Sequence, residues 1–173
     1  IVTESGITCG LLHPSGTLYV ADANRVYRSI DQGRNWQSDT LAYRNGKLAN
    51  YGPDICCMQV GFSVSTDEGR TWNERSKSGL AGSPNSIAIK DSLVVAAYST
   101  LILVSRDAGT TWTNYDPANS FNRSYSTVSI IDSTIYLCSS TGLFVSVDKG
   151  ATWDQYGSQV GSNFVTNVVS TQR

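Results

Sequence analysis

Ser105 to Trp112 reads SRDAGTTW, and the same eight-residue skeleton returns at Ser29 to Trp36 (SIDQGRNW), Ser65 to Trp72 (STDEGRTW) and Ser146 to Trp153 (SVDKGATW). The four aspartates, Asp31, Asp67, Asp107 and Asp148, lie 36, 40 and 41 residues apart, a period that suits one four-stranded antiparallel unit. All four tryptophans of the protein fall inside these phrases. Each phrase follows a β-rich run, Val26 to Ser29, Phe62 to Ser65, Ile102 to Ser105 and Leu143 to Ser146, so each is expected to be a tight turn after a strand.

The residue types fit that placement. A short Asp side chain accepts hydrogen bonds from its own turn, and Gly33, Gly69, Gly109 or Gly150, two residues on, supplies a backbone conformation closed to most side chains. The hydroxyls of Ser29, Ser65, Ser105 and Ser146 are placed to bind the remaining turn groups. Trp36, Trp72, Trp112 and Trp153 are expected to open the next strand and bury their rings, with the indole N–H seeking an acceptor.

Ten residues before each Asp stands Ala21, Cys57, Ala97 or Cys138, so the preceding strands align without a gap and call for a small residue at one place. Cys57 and Cys138 read there as small hydrophobes. The cysteine set, Cys9, Cys56, Cys57 and Cys138, has no zinc-site spacing and leaves the compartment and the disulfide state open.

These phrases have the pattern of the Asp box. The chain resembles the Asp-box (BNR) repeat proteins, which include sialidases, sortilin-type receptors, xyloglucan-cleaving glucanases and photosystem assembly factors. The match covers essentially the whole chain; Asn35 stands where the other copies carry Thr. The resemblance implies an all-β fold, a β-propeller of four four-stranded antiparallel blades at about 5–42, 46–80, 84–120 and 124–160. Inner strands are expected near Gly6 to Leu12, Lys47 to Asn50, Ser86 to Lys90 and Thr127 to Ile131. Phe164 to Ser170 (FVTNVVS) reads as the first strand of a fifth blade. A self-contained ring of four has no place for it, so the chain is expected to be a single domain or segment, 1–173. It would belong to a larger propeller or form half of an assembled one, with self-association or association with remaining blades. The start at Ile1, without Met or a basic and apolar leader, fits a removed leader or a piece of a longer chain.

Thirteen Lys plus Arg against fourteen Asp plus Glu leave a net charge of −1, which gives no field to draw nucleic acid or an anionic membrane. Apolar runs such as Leu93 to Ala97 are far short of the roughly 20 residues of a membrane span. No cofactor is implied, and each turn brings a single consistent acid, too few oxygens for a strong cation site.

Catalysis is disfavoured. Repeated aspartates one blade apart are spread around a ring, and in the resembling families they lie away from the ligand face. A two-carboxylate glycosidase needs facing acids; the glutamates are only Glu4, Glu68 and Glu74, and Asp116 and Asp132 remain by elimination. His13, the sole histidine, sits in His13-Pro14-Ser15-Gly16 and is expected in an exposed turn. The reading is a non-catalytic propeller that recognises a carbohydrate or a protein, with a fragment of a glycoside hydrolase as the alternative. Ligand contacts are expected on the loops joining blades: Tyr43, Arg44 and Tyr51 on the first, Phe121, Arg123 and Tyr125 with Tyr115 on the third, and Tyr156 and Phe164 at the end. Asn122-Arg123-Ser124 fits an N-glycosylation acceptor. The family resemblance favours a secreted or extracytoplasmic location.

Overall fold

The computed structural model of the chain describes residues 6–22, 25–39, 46–58, 61–76, 82–115 and 124–156. The chain divides into two compact units, Ile1–Ser83 and Pro84–Arg173. Among the described residues every regular element is a strand, and no helix is long and apolar enough to cross a membrane.

The first unit holds two antiparallel sheets. One runs β1 (Cys9–Leu12), β2 (Leu18–Ala21), β3 (Val26–Ser29), β4 (Gln37–Asp39); the other runs β5 (Lys47–Tyr51), β6 (Asp54–Met58), β7 (Phe62–Ser65), β8 (Asn73–Ser76). Strands are neighbours in chain order, so every connection within a sheet is a hairpin. β5 covers the weak segment expected as an inner strand, with Leu48 opposite Cys57 and Tyr51 opposite Asp54. The core gathers Tyr19, Ala21 and Val26 from one sheet with Ile55 and Cys57 from the other.

The second unit repeats the plan with β9 (Ser86–Lys90), β10 (Leu93–Ala97), β11 (Ile102–Ser105), β12 (Thr113–Tyr115), then β13 (Tyr125–Ile131), β14 (Thr134–Ser139), β15 (Gly142–Ser146), β16 (Asp154–Tyr156). β10 and β11 are buried along their whole length, which explains why they read as continuous apolar runs rather than as alternating strands. Val95, Ala97, Ile102 and Val104 pack with Tyr125, Val128, Ile135, Leu137 and Phe144. Each large aliphatic chain buried there contributes about 1.5–3 kcal/mol. β4, β12 and β16 span three residues each, a length that limits strand-edge pairing.

Ala21, Cys57, Ala97 and Cys138 are all buried, in line with the small-residue requirement at that position. The reason is visible at Cys57. A Cβ placed on Gly46 would collide with the Cys57 Sγ, so the chain entering β5 passes directly over that thiol. Burial pushes the Cys57 thiol up to about 12 and the Cys56 thiol further still.

Candidate functional site

The four octapeptides are the hairpin turns between the third and fourth strands of their sheets. Each begins on a buried serine, Ser29, Ser65, Ser105 or Ser146, whose Oγ donates to the Asp Oδ1 at 2.8 Å. The same Oγ accepts the N–H of the turn glycine at 2.7–2.8 Å. The Asp Oδ1 accepts the N–H four residues on at 2.8 Å in every copy. Its Oδ2 accepts a side-chain donor, the Asn35 amide at 2.7 Å or the hydroxyls of Thr71, Thr111 and Thr152 at 2.6–2.7 Å. Asn35 therefore does the work of threonine in the first copy.

The backbone turns through two consecutive left-handed residues, the glycine and the residue before it: Gln32, Glu68, Ala108 and Lys149 have φ of 61°, 57°, 55° and 58°. The second of these requirements was invisible in the sequence, where four different residue types fill the position. The tryptophans are half-buried rather than fully enclosed. Trp36 and Trp112 donate to the carbonyls of Gly33 and Gly109, while the indole N–H groups of Trp72 and Trp153 are buried without a partner among the described residues.

Saturation by these donors fixes the chemistry of the four acids. The Thr71 and Thr111 hydroxyls, followed by backbone N–H groups, hold Asp67 and Asp107 down at about 2. Asp148 is lowered by the Thr152 hydroxyl, and Asp31 by the N–H and side-chain amide of Asn35. Carboxylates held in this way stay ionised and have both oxygens engaged, which suits neither a general acid nor a base.

Of the residues expected to contact a ligand, Tyr43, Arg44, Phe121 and Arg123 lie outside the described residues, as do Glu4, Asp116, Asn122 and the 164–170 strand. Tyr51 is 39% exposed, but it is the last residue of β5, beside the Gly52-Pro53-Asp54 turn. Tyr125 was expected on a surface loop and is instead 1% exposed, its ring edge-on to Phe144 with centroids 6.2 Å apart. The apolar faces of β10 and β14 compete for that ring and take it into the core. Tyr115 packs half-buried against the same core, and Tyr156 is exposed.

His13 also departs from expectation. It is buried rather than exposed, because its ring reaches across to the second sheet of its unit. Nδ1 accepts the Ser15 N–H at 3.2 Å, which leaves Nε2–H to donate to the Gly52 carbonyl at 2.6 Å. Beside it the Tyr19 hydroxyl donates to the Glu68 carbonyl at 2.6 Å. Ser15 Oγ lies 2.8 Å from Nδ1, yet no carboxylate orients the ring among the described residues, so the Ser-His contact secures a turn. No group of three His, Cys, Asp or Glu side chains is placed to hold a metal among the described residues.

At the opposite end of the second unit's sheets, sequence reading missed a polar seam. The Asn85 amide donates to the Tyr125 carbonyl at 2.7 Å and to Ser99 Oγ at 3.3 Å, and the Tyr125 N–H donates to the Ser99 carbonyl at 3.1 Å. Next to Ser99, the Tyr98 phenol is buried without a hydrogen-bond partner among the described residues, and burial pushes it up to about 12.

No known family's sequence profile matches the chain, and no curated protein sequence matches it. Solved structures do resemble it. An ancestral GH74 enzyme aligns over 88% of this chain and 24% of its own, with a TM-score of 0.66 and 20% identity. YCF48 from Cyanidioschyzon merolae aligns over 90% of this chain and 57% of its own, with a TM-score of 0.63 and 18% identity. YCF48 bound to a D1 peptide aligns over 90% and 82%, with a TM-score of 0.54 and 13% identity. The chain thus spans about a quarter of the GH74 chain and little more than half of the first YCF48 chain. At these identities the likeness carries the fold alone, and by it the chain is an all-β protein of the β-propeller class, built from four four-stranded antiparallel sheets.

Proposed function

We propose that the chain is a segment of an Asp-box repeat propeller whose role is non-catalytic recognition of a carbohydrate or a protein. The observation that carries this reading is the state of its four repeated carboxylates, each bound by donors of its own turn and removed from chemistry. Recognition falls to the connections between sheets, where Tyr43, Arg44, Phe121 and Arg123 supply flat faces and fixed cations. The solved YCF48 complex with a D1 peptide supports a protein ligand for a chain of this fold. Remaining blades, or a second copy, would complete the assembly, in a secreted or extracytoplasmic setting.

The likeness to a GH74 enzyme favours one second reading, a glycoside hydrolase segment whose facing acids stand on other parts of the protein. A glycan array and a peptide library, screened with the chain as it stands, separate these readings. Recognition predicts a ligand bound without turnover, with affinity reduced by Tyr43→Ala, Arg44→Ala or Arg123→Ala. A ligand whose affinity ignores all three changes refutes the assignment of the connections, and hydrolysis of a bound glycan refutes the non-catalytic role.

A further inference from the structure

A cavity of about 60 Å³ opens between the two inner hairpins of the second unit. One wall is the β9–β10 turn, with Lys90, Asp91 and Ser92; the other is the β13–β14 turn, with Asp132 and Ser133. Lys149, from the last octapeptide, closes the third side, and Leu93 and Ile130 form an aliphatic floor. Asp91, Asp132 and Lys149 sit at left-handed positions, with φ of 52°, 54° and 58°, so each is carried on a tight turn. Among the described residues no hydrogen bond or ion pair engages the side chains of Asp91, Asp132, Ser133 or Lys149.

The charges of the lining decide what chemistry fits. Two ammonium groups and two carboxylates cancel, so neither an anion nor a cation gains from the site as a whole. Groups that donate alternate with groups that accept, and two hydroxyls do both. A ligand that meets an ammonium and a carboxylate with neighbouring atoms must accept and donate from adjacent positions, which is what vicinal hydroxyls do. The floor suits the C–H face of a saturated ring. A 60 Å³ space holds roughly two waters at about 30 Å³ each, which two neighbouring hydroxyls on the edge of one pyranose can replace.

We propose that this cavity is a binding site for a terminal sugar residue, entered edge-on, with Lys149 donating to its hydroxyl oxygens and Asp91 and Asp132 accepting from its hydroxyl protons. The inference rests on the carbohydrate arm of the proposed function and adds a second site, at the octapeptide end of the sheets rather than at the connections between them.

The test is a set of amide 1H–15N spectra of the whole chain titrated with the methyl glycosides of glucose, galactose, mannose and xylose, and separately with sodium phosphate and calcium chloride. Expected are saturable shifts at Asp91 to Leu93, Asp132, Ser133 and Lys149 with at least one glycoside. Affinity should weaken about tenfold in Lys149→Ala and in Asp132→Asn, both with folded spectra, since tenfold corresponds to about 1.4 kcal/mol. Silence of these amides with every glycoside overturns the proposal. So does movement of the same amides by phosphate or calcium alone. Glycoside shifts confined to the connections between sheets would also overturn it while leaving carbohydrate recognition intact, and binding of peptides with no glycan bound anywhere would remove the carbohydrate arm itself.

Discussion

Replacement of Ser105 by Ala removes one oxygen at the root of a single turn. That Oγ donates to Asp107 Oδ1 at 2.8 Å and accepts from the Gly109 N–H at 2.8 Å and, more weakly, from the Asp107 N–H at 3.4 Å. Asp107 loses least, because its carboxylate is exposed and keeps the N–H groups of Thr110 and Thr111 and the Thr111 hydroxyl. Gly109 loses most. It is buried, and a vanished hydroxyl leaves a space too small for a replacing water, so its N–H is left without an acceptor. An orphaned buried donor costs about 1–3 kcal/mol. Taking about 2 kcal/mol, and about 2–4 °C of Tm per kcal/mol for a chain of this size, the melting temperature should fall by about 4–8 °C. Calorimetry and urea titration measure the loss, and the Gly109 amide should exchange with solvent far faster than in the parent. Thr111→Ala, which removes only an exposed hydroxyl from the same carboxylate, should cost less. A loss below about 0.5 kcal/mol in Ser105→Ala, or one no larger than in Thr111→Ala, would refute the claim that the buried serine holds the turn.

Ala108→Gly should raise stability by about 0.5–1 kcal/mol, read as a higher urea midpoint, because glycine relieves the left-handed conformation at φ 55°; a lower midpoint would count against that backbone. Acid should weaken the turns in a defined window. The folded carboxylates of Asp67 and Asp107, at about 2, lie below the ordinary value of 3.8, so their contribution is complete above that value and is lost as pH falls toward 2. Urea midpoints that stay flat between pH 4 and pH 2 would contradict it. Maleimide labelling of the native chain should find one readily accessible thiol, the half-buried Cys9, and all four in urea, since Cys56, Cys57 and Cys138 are buried; fast native labelling of any of those three would show the core to be open.

What could be read from the sequence is what depends on near neighbours. The side chains of Ser105, Asp107 and Thr111 and the Gly109 N–H bond within their own octapeptide, so their spacing predicts the turn, and three other copies confirm the rule by repetition. The inner strands β9 and β13 followed from their place in the repeat, each ahead of a turn pair, Asp91-Ser92 or Asp132-Ser133. Burial set by a second sheet was not legible. His13 looked exposed because its acceptor, the Gly52 carbonyl, is 39 residues away, and Tyr125 looked like a surface ring because Phe144 and Leu137 belong to strands formed later in the chain. Tyr51, grouped with Tyr43 and Arg44 by closeness in sequence, is the last residue of β5.

The two units solve one packing problem in different ways, and the difference accounts for the cavity. In the first unit the connection between β1 and β2 spans five residues, His13 to Thr17, long enough to fold His13 over the neighbouring hairpin and bond it to Gly52. Tyr19, twelve residues before Asp31, adds a second bond to the next octapeptide, and a Cβ on Gly69 would stand 2.8 Å from its ring. Two aromatic side chains thus span the gap between the sheets at that end. In the second unit the equivalent connections shrink to the two residues Asp91-Ser92 and Asp132-Ser133, and the residue twelve before Asp107 is Val95, which has neither the length nor the hydroxyl to cross. The sheets are tied at the other end instead, through Asn85, Ser99 and the backbone of Tyr125. The apolar core still joins the two sheets toward the octapeptide end, so the space left there is only that between the short turns, lined by what they carry, two aspartates, two serines and the adjoining lysines.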